Sequence, residues 1–134
     1  MFAYKRKAQY HETDQMGMIH HSNYVKWMEE ARLAFMESLG MSYDKVEEMG
    51  IISPVVSIGV EYVKPVRYNE DMIINVGVKK YTGVRLELEY EMIEESTGEL
   101  RTRASSSHCF IRNGRIISLK KELPEIDRTL KESV

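Results

Sequence analysis

The chain reads as an α+β protein in which one antiparallel sheet wraps around one long helix. Only one stretch has long helical periodicity, with Tyr24, Trp27, Met28, Ala31, Phe35 and Leu39 recurring at i, i+3, i+4 and i+7. After Gly50 the composition turns to Val, Ile, Tyr and Leu, broken by repeated turn signals. Four or five strands in succession, with no helix between them, must pair as an antiparallel sheet.

The elements follow in order. Residues 3–10 read as a strand, leading into the polar segment His11-Glu12-Thr13-Asp14 and Gly17. The long helix starts near Tyr24 with Ser22 or Asn23 as its cap, keeps Lys26, Glu29, Glu30, Arg32 and Glu37 on its wet side, and stops at Gly40. A short helix over 42–49 is capped by Ser42 and ended by Gly50. Strands are expected at 55–66, 72–81, 84–94 and 99–112. In the third of these, Val84, Leu86, Leu88, Tyr90 and Met92 alternate with Arg85, Glu87, Glu89 and Glu91, giving one dry and one wet face. Asn113-Gly114 makes a hairpin with 115–119, and Pro124 opens a C-terminal helix. A helix covers only one face of such a sheet, so its edges or other face call for a second copy of the chain.

Composition narrows the functional classes. The 134 residues fit one domain spanning 1–134, and 43% hydrophobic residues suffice for a core. With 19 Lys+Arg against 21 Asp+Glu the net charge is −2, which lacks the positive field of a nucleic-acid binder. No run of about 18 apolar residues occurs, so no membrane span is expected, and the first residues resemble neither a signal peptide nor a lipidation motif. The lone Cys109 has no partner for an internal disulfide and reads as a small buried hydrophobe. A reducing, cytoplasmic location is the expectation.

The densest polar cluster runs from Tyr10 to Tyr24 and holds three of the four histidines (His11, His20 and His21), with Glu12 and Asp14. It ends where the long helix begins, where free backbone N–H groups bind anions or polarise a carbonyl. A carboxylate beside such donors is the pair of tools that acyl transfer requires. Position alone favours Asp14 as a turn or cap residue. His20 and His21 are neighbours in sequence without the spacing of a metal site, and no metal or cofactor is expected. Met16 and Met18 stand beside the cluster, where an acyl pocket would lie.

The pattern Asp14-x-x-Gly17-x-x-x-His21-x-x-Tyr24, followed by Trp27 and Glu29-x-Ala31-Arg32, resembles the opening motif of the hotdog-fold acyl-CoA thioesterases of the 4-hydroxybenzoyl-CoA thioesterase-like branch. The similarity extends through Ile51-Ile52-Ser53-Pro54-Val55-Val56 and Tyr62-x-x-Pro65 with Arg67. The resemblance implies a thioester hydrolase, a homodimer or homotetramer with active sites at the subunit interface. Asp14 would attack the thioester carbon or activate water, and the backbone N–H of His21 would bond the carbonyl oxygen. The imidazole of His21 would orient the thioester or the water. Glu12 stands where many relatives have a second Asp, and His20 where many have an aromatic residue. Glu12 is thus a further catalytic candidate, and Gly17, His20, Tyr24 and Ser53 are candidate substrate contacts. Coenzyme A phosphates call for cations, which Lys79, Lys80 and Arg85 supply around the Tyr81-Thr82-Gly83 turn, with Lys64 and Arg67 next. The competing readings are hydrolysis of acyl-carrier-protein thioesters and non-catalytic binding of acyl-CoA. No appended DNA-binding segment accompanies the latter.

Overall fold

A computed structural model covers residues 1–134. Strand β1 (Phe2–Lys7) passes through a 3-10 turn (Tyr10–Glu12) and a polar loop into helix α1 (Ser22–Ser38). Next come α2 (Tyr43–Glu48), β2 (Ile51–Ile52), β3 (Val55–Tyr62), β4 (Asp71–Tyr81), β5 (Arg85–Glu94) and β6 (Leu100–Cys109). The chain closes with β7 (Ile111–Arg112), β8 (Arg115–Ile116), α3 (Leu119–Glu122) and α4 (Pro124–Glu132). Five strands form one antiparallel sheet in the order β1-β4-β5-β6-β3, and β2, β7 and β8 form a small second sheet. Helix α1 lies on the β1–β4 side of the large sheet. No helix is long and apolar enough to cross a membrane.

The core follows the periodicities of the sequence. Trp27, Met28, Ala31 and Phe35 on α1 are buried against Met72, Ile74 and Val76 of β4 and Leu86, Leu88, Tyr90 and Met92 of β5. Glu87, Glu89 and Glu91 of β5 stay on the outer face. Five methionines (28, 36, 41, 72 and 92) fill this core, where their flexible thioethers adapt to irregular gaps, whereas Met16 is exposed. Cys109 is buried and unpaired.

Several boundaries differ from those the sequence predicts. The first strand ends at Lys7, and a 3-10 turn occupies residues 10–12. Helix α1 is capped by neither Ser22 nor Asn23. His21 holds the cap position in helical conformation, His20 Nδ1 accepts the Ser22 N–H at 3.2 Å, and the Asn23 amide donates to the Glu12 carbonyl. Strand β3 stops at Tyr62 because the next two N–H groups both bond the Arg101 carbonyl and Pro65 has none to give. The stretch expected as one strand to residue 112 breaks at Phe110, and its end pairs with β2 instead of β3. The Asn113-Gly114 turn forms as expected, with φ of 54° and 74°, but its return strand expected over 115–119 ends at Ile116, and Leu119 opens α3. Ser42 caps α2 by accepting the Lys45 N–H, and Gly40 follows α1 with φ of 85°.

Two arginine–carboxylate brackets hold the loops at one end of the sheet. Glu12 is buried, and its two carboxylate oxygens accept from both terminal nitrogens of Arg6 (2.9 and 2.8 Å), the Gln9 amide (2.9 Å) and the Trp27 indole (2.9 Å). β1, the loop and α1 therefore meet on one carboxylate. Arg101 grips Glu70 through two parallel bonds of 2.8 Å, and donates to the Pro65 carbonyl and Glu99. That grip fixes the 65–70 connection, on which the polar loop lies through Ile19 N–H to Val66 C=O and a Met18–Arg67 bridge.

Burial alone would raise the Glu12 pKa, but the Trp27, Gln9 and Arg6 donors outweigh it and the group lies below its ordinary 4.5. A lowered folded-state pKa means that Glu12 stabilises the fold fully above 4.5 and loses that contribution as the pH falls through its folded value. Breaking a buried ion pair costs about 3–5 kcal/mol, so Glu12→Ala should lower the unfolding free energy by that order in urea titrations at neutral pH. The margin of the wild type over Glu12→Gln should shrink as the titration is repeated at pH values below 4.5.

Candidate functional site

The segment between the 3-10 turn and α1 is a small closed loop. Thr13 and Ile19 pair, the Asp14 N–H bonds the Met18 carbonyl at 2.7 Å, and Gly17 completes the reversal with φ of 76°. A side chain at position 17 would meet no neighbour, so it is this left-handed backbone that favours glycine. Gly17 thus shapes the loop and is exposed.

Within the loop the half-buried Asp14 carboxylate is held by one oxygen. Its Oδ1 accepts the N–H groups of Met16 (2.7 Å) and Met18 (3.2 Å), while Oδ2 has no partner in the chain. One face of the carboxylate is thereby oriented and the other left for chemistry. The loop then runs into α1 at His20 and His21, both exposed, with imidazole centroids 4.2 Å apart. His20 is engaged with Ser22 through Nδ1, 2.9 Å from its hydroxyl. The backbone N–H of His21 has no acceptor in the chain, although the Asn23 and Tyr24 N–H groups bond the His20 and His21 carbonyls. An open amide therefore stands at the positive end of the 17-residue helix.

Other expected site residues fall elsewhere. Glu12 is spent on the Arg6, Gln9 and Trp27 bonds and has no free lone pair facing solvent, which corrects its expectation as a catalytic partner of Asp14. Tyr24 is also a brace instead of a surface contact. It is 3% exposed, its hydroxyl accepts the Val66 N–H at 3.2 Å, and its ring packs 5.0 Å from Tyr62 and 5.4 Å from Trp27. Tyr62, of the Tyr62-x-x-Pro65 motif, reaches the helix start: its hydroxyl donates to the His21 carbonyl at 3.2 Å. The Tyr62-x-x-Pro65 spacing was the available signal.

Lys79, Lys80 and Arg85 are exposed, but at the other end of the sheet. Lys7 pairs with Asp71 at the end that carries the Asp14 loop, and Lys79 lies eight residue steps along β4 from Asp71, about 26 Å at strand rise. Ser53 is equally remote within one chain. It lines a groove of about 560 Å³ between α1, α2 and β2, together with Arg32, Met36, Met41 and Ile51. Nowhere do three His, Cys, Asp or Glu side chains converge as metal ligands would.

Edge strand β3 carries the remaining clue. Val55, Val56, Ile58, Tyr62 and the adjoining Val63 are each between 41% and 47% exposed, an apolar ribbon with one unpaired backbone edge. Its start, at Val55, lies with His108, Cys109 and Arg85, and its end, at Tyr62, touches the start of α1.

The model of the thioesterase-like superfamily matches residues 8–132. The "Putative acyl-CoA thioesterase YneP" of Bacillus subtilis is 36% identical over 121 residues, 89% of this chain and 87% of that protein. The crystal structure of a DHNA-CoA thioesterase from Staphylococcus aureus superposes with a TM-score of 0.91 at 36% identity, over 97% of this chain and 88% of that one. An Aquifex aeolicus crystal structure gives a TM-score of 0.88 at 32% identity, covering 94% and 98%. With an antiparallel sheet around a long helix, a matching model over nearly its whole length and relatives of this similarity, the chain belongs to the thioesterase-like superfamily and is a hotdog-fold thioester hydrolase.

Proposed function

We propose that the enzyme hydrolyses acyl-CoA thioesters to the free acid and coenzyme A, with Asp14 as the catalytic carboxylate and the His21 amide as the carbonyl polariser. The observation that carries this reading is the half-engaged carboxylate: Oδ1 pinned by two amides, Oδ2 free, in a loop that ends at an unpartnered N–H. The printed names of the Bacillus and Staphylococcus relatives, both coenzyme A thioesterases, support coenzyme A as the thiol.

The chemistry follows from charge. Attack on the thioester carbon moves negative charge onto the carbonyl oxygen, and a preorganised N–H at a helix start stabilises it by about 3–4 kcal/mol. Asp14 either attacks directly, giving an anhydride that water opens, or takes a proton from the attacking water. The thiolate of coenzyme A leaves readily in either route, so no strong general acid is needed.

The site is completed by a second copy. Pairing of β3 with its two-fold mate runs antiparallel, so the Val55 end of one copy meets the Tyr62 end of the other. Ser53, Lys80 and Arg85, remote from Asp14 in their own chain, then approach the Asp14 loop of the opposite copy. The exposed apolar ribbon of β3 supports this arrangement, and coenzyme A phosphates find their cations there. His20 lies at the same opening and contacts the thioester end of the substrate.

Asp14→Asn should keep the melting temperature and oligomer of the wild type while lowering kcat about 10²–10⁴-fold, read by free-thiol release from acyl-CoA. Val56→Asp, a charge placed on the free edge, should give monomers in light scattering and lose activity with Asp14 intact.

A further inference from the structure

The inner face of β6 breaks the apolar pattern of the core. Ser106 and His108, in register with Leu88 and Leu86 of β5, are buried and form a chain of polar contacts with the neighbouring Tyr90: Tyr90 hydroxyl to Ser106 Oγ at 2.7 Å, and Ser106 Oγ to His108 Nε2 at 2.7 Å. Tyr90, Ser106 and His108 are 2%, 5% and 1% exposed. Burying three such groups is costly, and a purely structural network of this kind is normally satisfied throughout. This one is not: His108 Nδ1 makes no hydrogen bond.

Burial, aided by the nearby Arg32 charge, lowers the His108 imidazole to about 4, and the Pro54 carbonyl, outside good bonding geometry, offsets little of this. The ring is neutral at physiological pH and retains a lone pair. The relay therefore runs in either direction. Hydroxyl protons point toward Nε2 in one arrangement, and Nε2 donates toward Tyr90 in the other.

The three side chains line a cavity of about 70 Å³ between α1 and the sheet, walled by Met28 and Ile58 and rimmed by Glu29 and Arg32. Arg32 is half-buried and forms neither an ion pair nor a hydrogen bond, so a cation at the mouth is uncommitted. That volume holds a single functional group instead of a chain; one water in the liquid takes about 30 Å³. Ile58 stands near the middle of β3, so two-fold pairing of that strand leaves the cavity beside the seam where the acyl group of the substrate must go.

We propose that Tyr90, Ser106 and His108, with Arg32 at the rim, form an acyl-selectivity pocket that takes a hydroxyl or oxo oxygen on the acyl group and discriminates against the plain hydrocarbon. The proposal rests on the thioesterase reading above. A hydroxyl both donates and accepts and so satisfies either direction of the relay, and an oxo group accepts from Tyr90 and Arg32. A methyl or methylene in the same place drives out water and leaves buried polar atoms unpaired. Sites built to bond a substrate hydroxyl reject the analogue that lacks it for this reason.

The test compares kcat/KM for matched acyl-CoA pairs that differ by one oxygen: straight-chain acyl groups of four to eight carbons with their terminal-hydroxy counterparts, and phenylacetyl with 4-hydroxyphenylacetyl. The wild type should favour the oxygenated member of at least one pair about tenfold or more. Ser106→Ala and Tyr90→Phe should each bring the ratio of kcat/KM for the oxygenated member to that for the plain one down to about one. Equal rates within every pair, or variants that slow both members alike while melting normally, overturn the pocket. Turnover that disappears in Asp14→Asn keeps the hydrolase reading standing in that event. Affinities of non-hydrolysable thioether analogues of the same pairs, measured by calorimetry, read the pocket without catalysis. Equal affinities overturn it even if no thioester is cleaved.

Discussion

The geometry of the candidate site depends on one buried carboxylate that takes no part in it. Glu12 gathers Arg6 from β1, the Gln9 amide from the loop and the Trp27 indole from the second turn of α1. Each of those elements has reasons to exist alone: alternation for the strand, an apolar stripe for the helix. Nothing in those patterns sets the angle at which the loop leaves one and enters the other. A charge buried in the core is tolerable only when every lone pair is occupied, so the three donors must arrive together or the carboxylate is left exposed to a large desolvation cost. The result is a fixed distance along the backbone from Glu12 to Asp14 and on to the helix start. The Arg101 bracket serves the same end from below by holding the 65–70 connection that the loop rests on.

Asp14 and Glu12 make the contrast plain. Two residues apart, they differ in what surrounds them: Glu12 has donors on both oxygens, Asp14 on one only. In the sequence they look alike, and both were reasonable candidates for the chemistry. Trp27, fifteen residues beyond Glu12, was legible as a core residue from its helical spacing, but its indole N–H was not legible as the group that claims Glu12. Tyr24 failed for a related reason. Its place in the motif is real, yet its hydroxyl is taken by Val66, from a segment forty-two residues away.

What local rules determine was legible. The α1 stripe, the Ser42 cap, the Gly40 stop and the Asn113-Gly114 hairpin each depend on a few neighbouring residues, and each was found where the sequence put it. The polar loop was legible as a candidate site because its residue types and its position before a helix suit chemistry. The end of β3 at Tyr62, the diversion of β7 to β2 and the separation of Lys79 from Asp14 were not, since each depends on which distant strand supplies the hydrogen bonds. The relay of Tyr90, Ser106 and His108 belongs with these. Within Ser105-Ser106-Ser107-His108 nothing distinguishes the inward pair from the outward one until the register with β5 is known.

The unpartnered N–H of His21 belongs to the main chain, and this sets how the site responds to genetic change. Nineteen of the twenty encoded amino acids would bring the same donor to that position; only proline would delete it. Drift at codon 21 would therefore alter the imidazole without touching the open N–H proposed to face the carbonyl oxygen. Position 14 has no such insurance, because the role proposed for it resides wholly in a side chain. Two neighbouring parts of one loop thus tolerate mutation very differently.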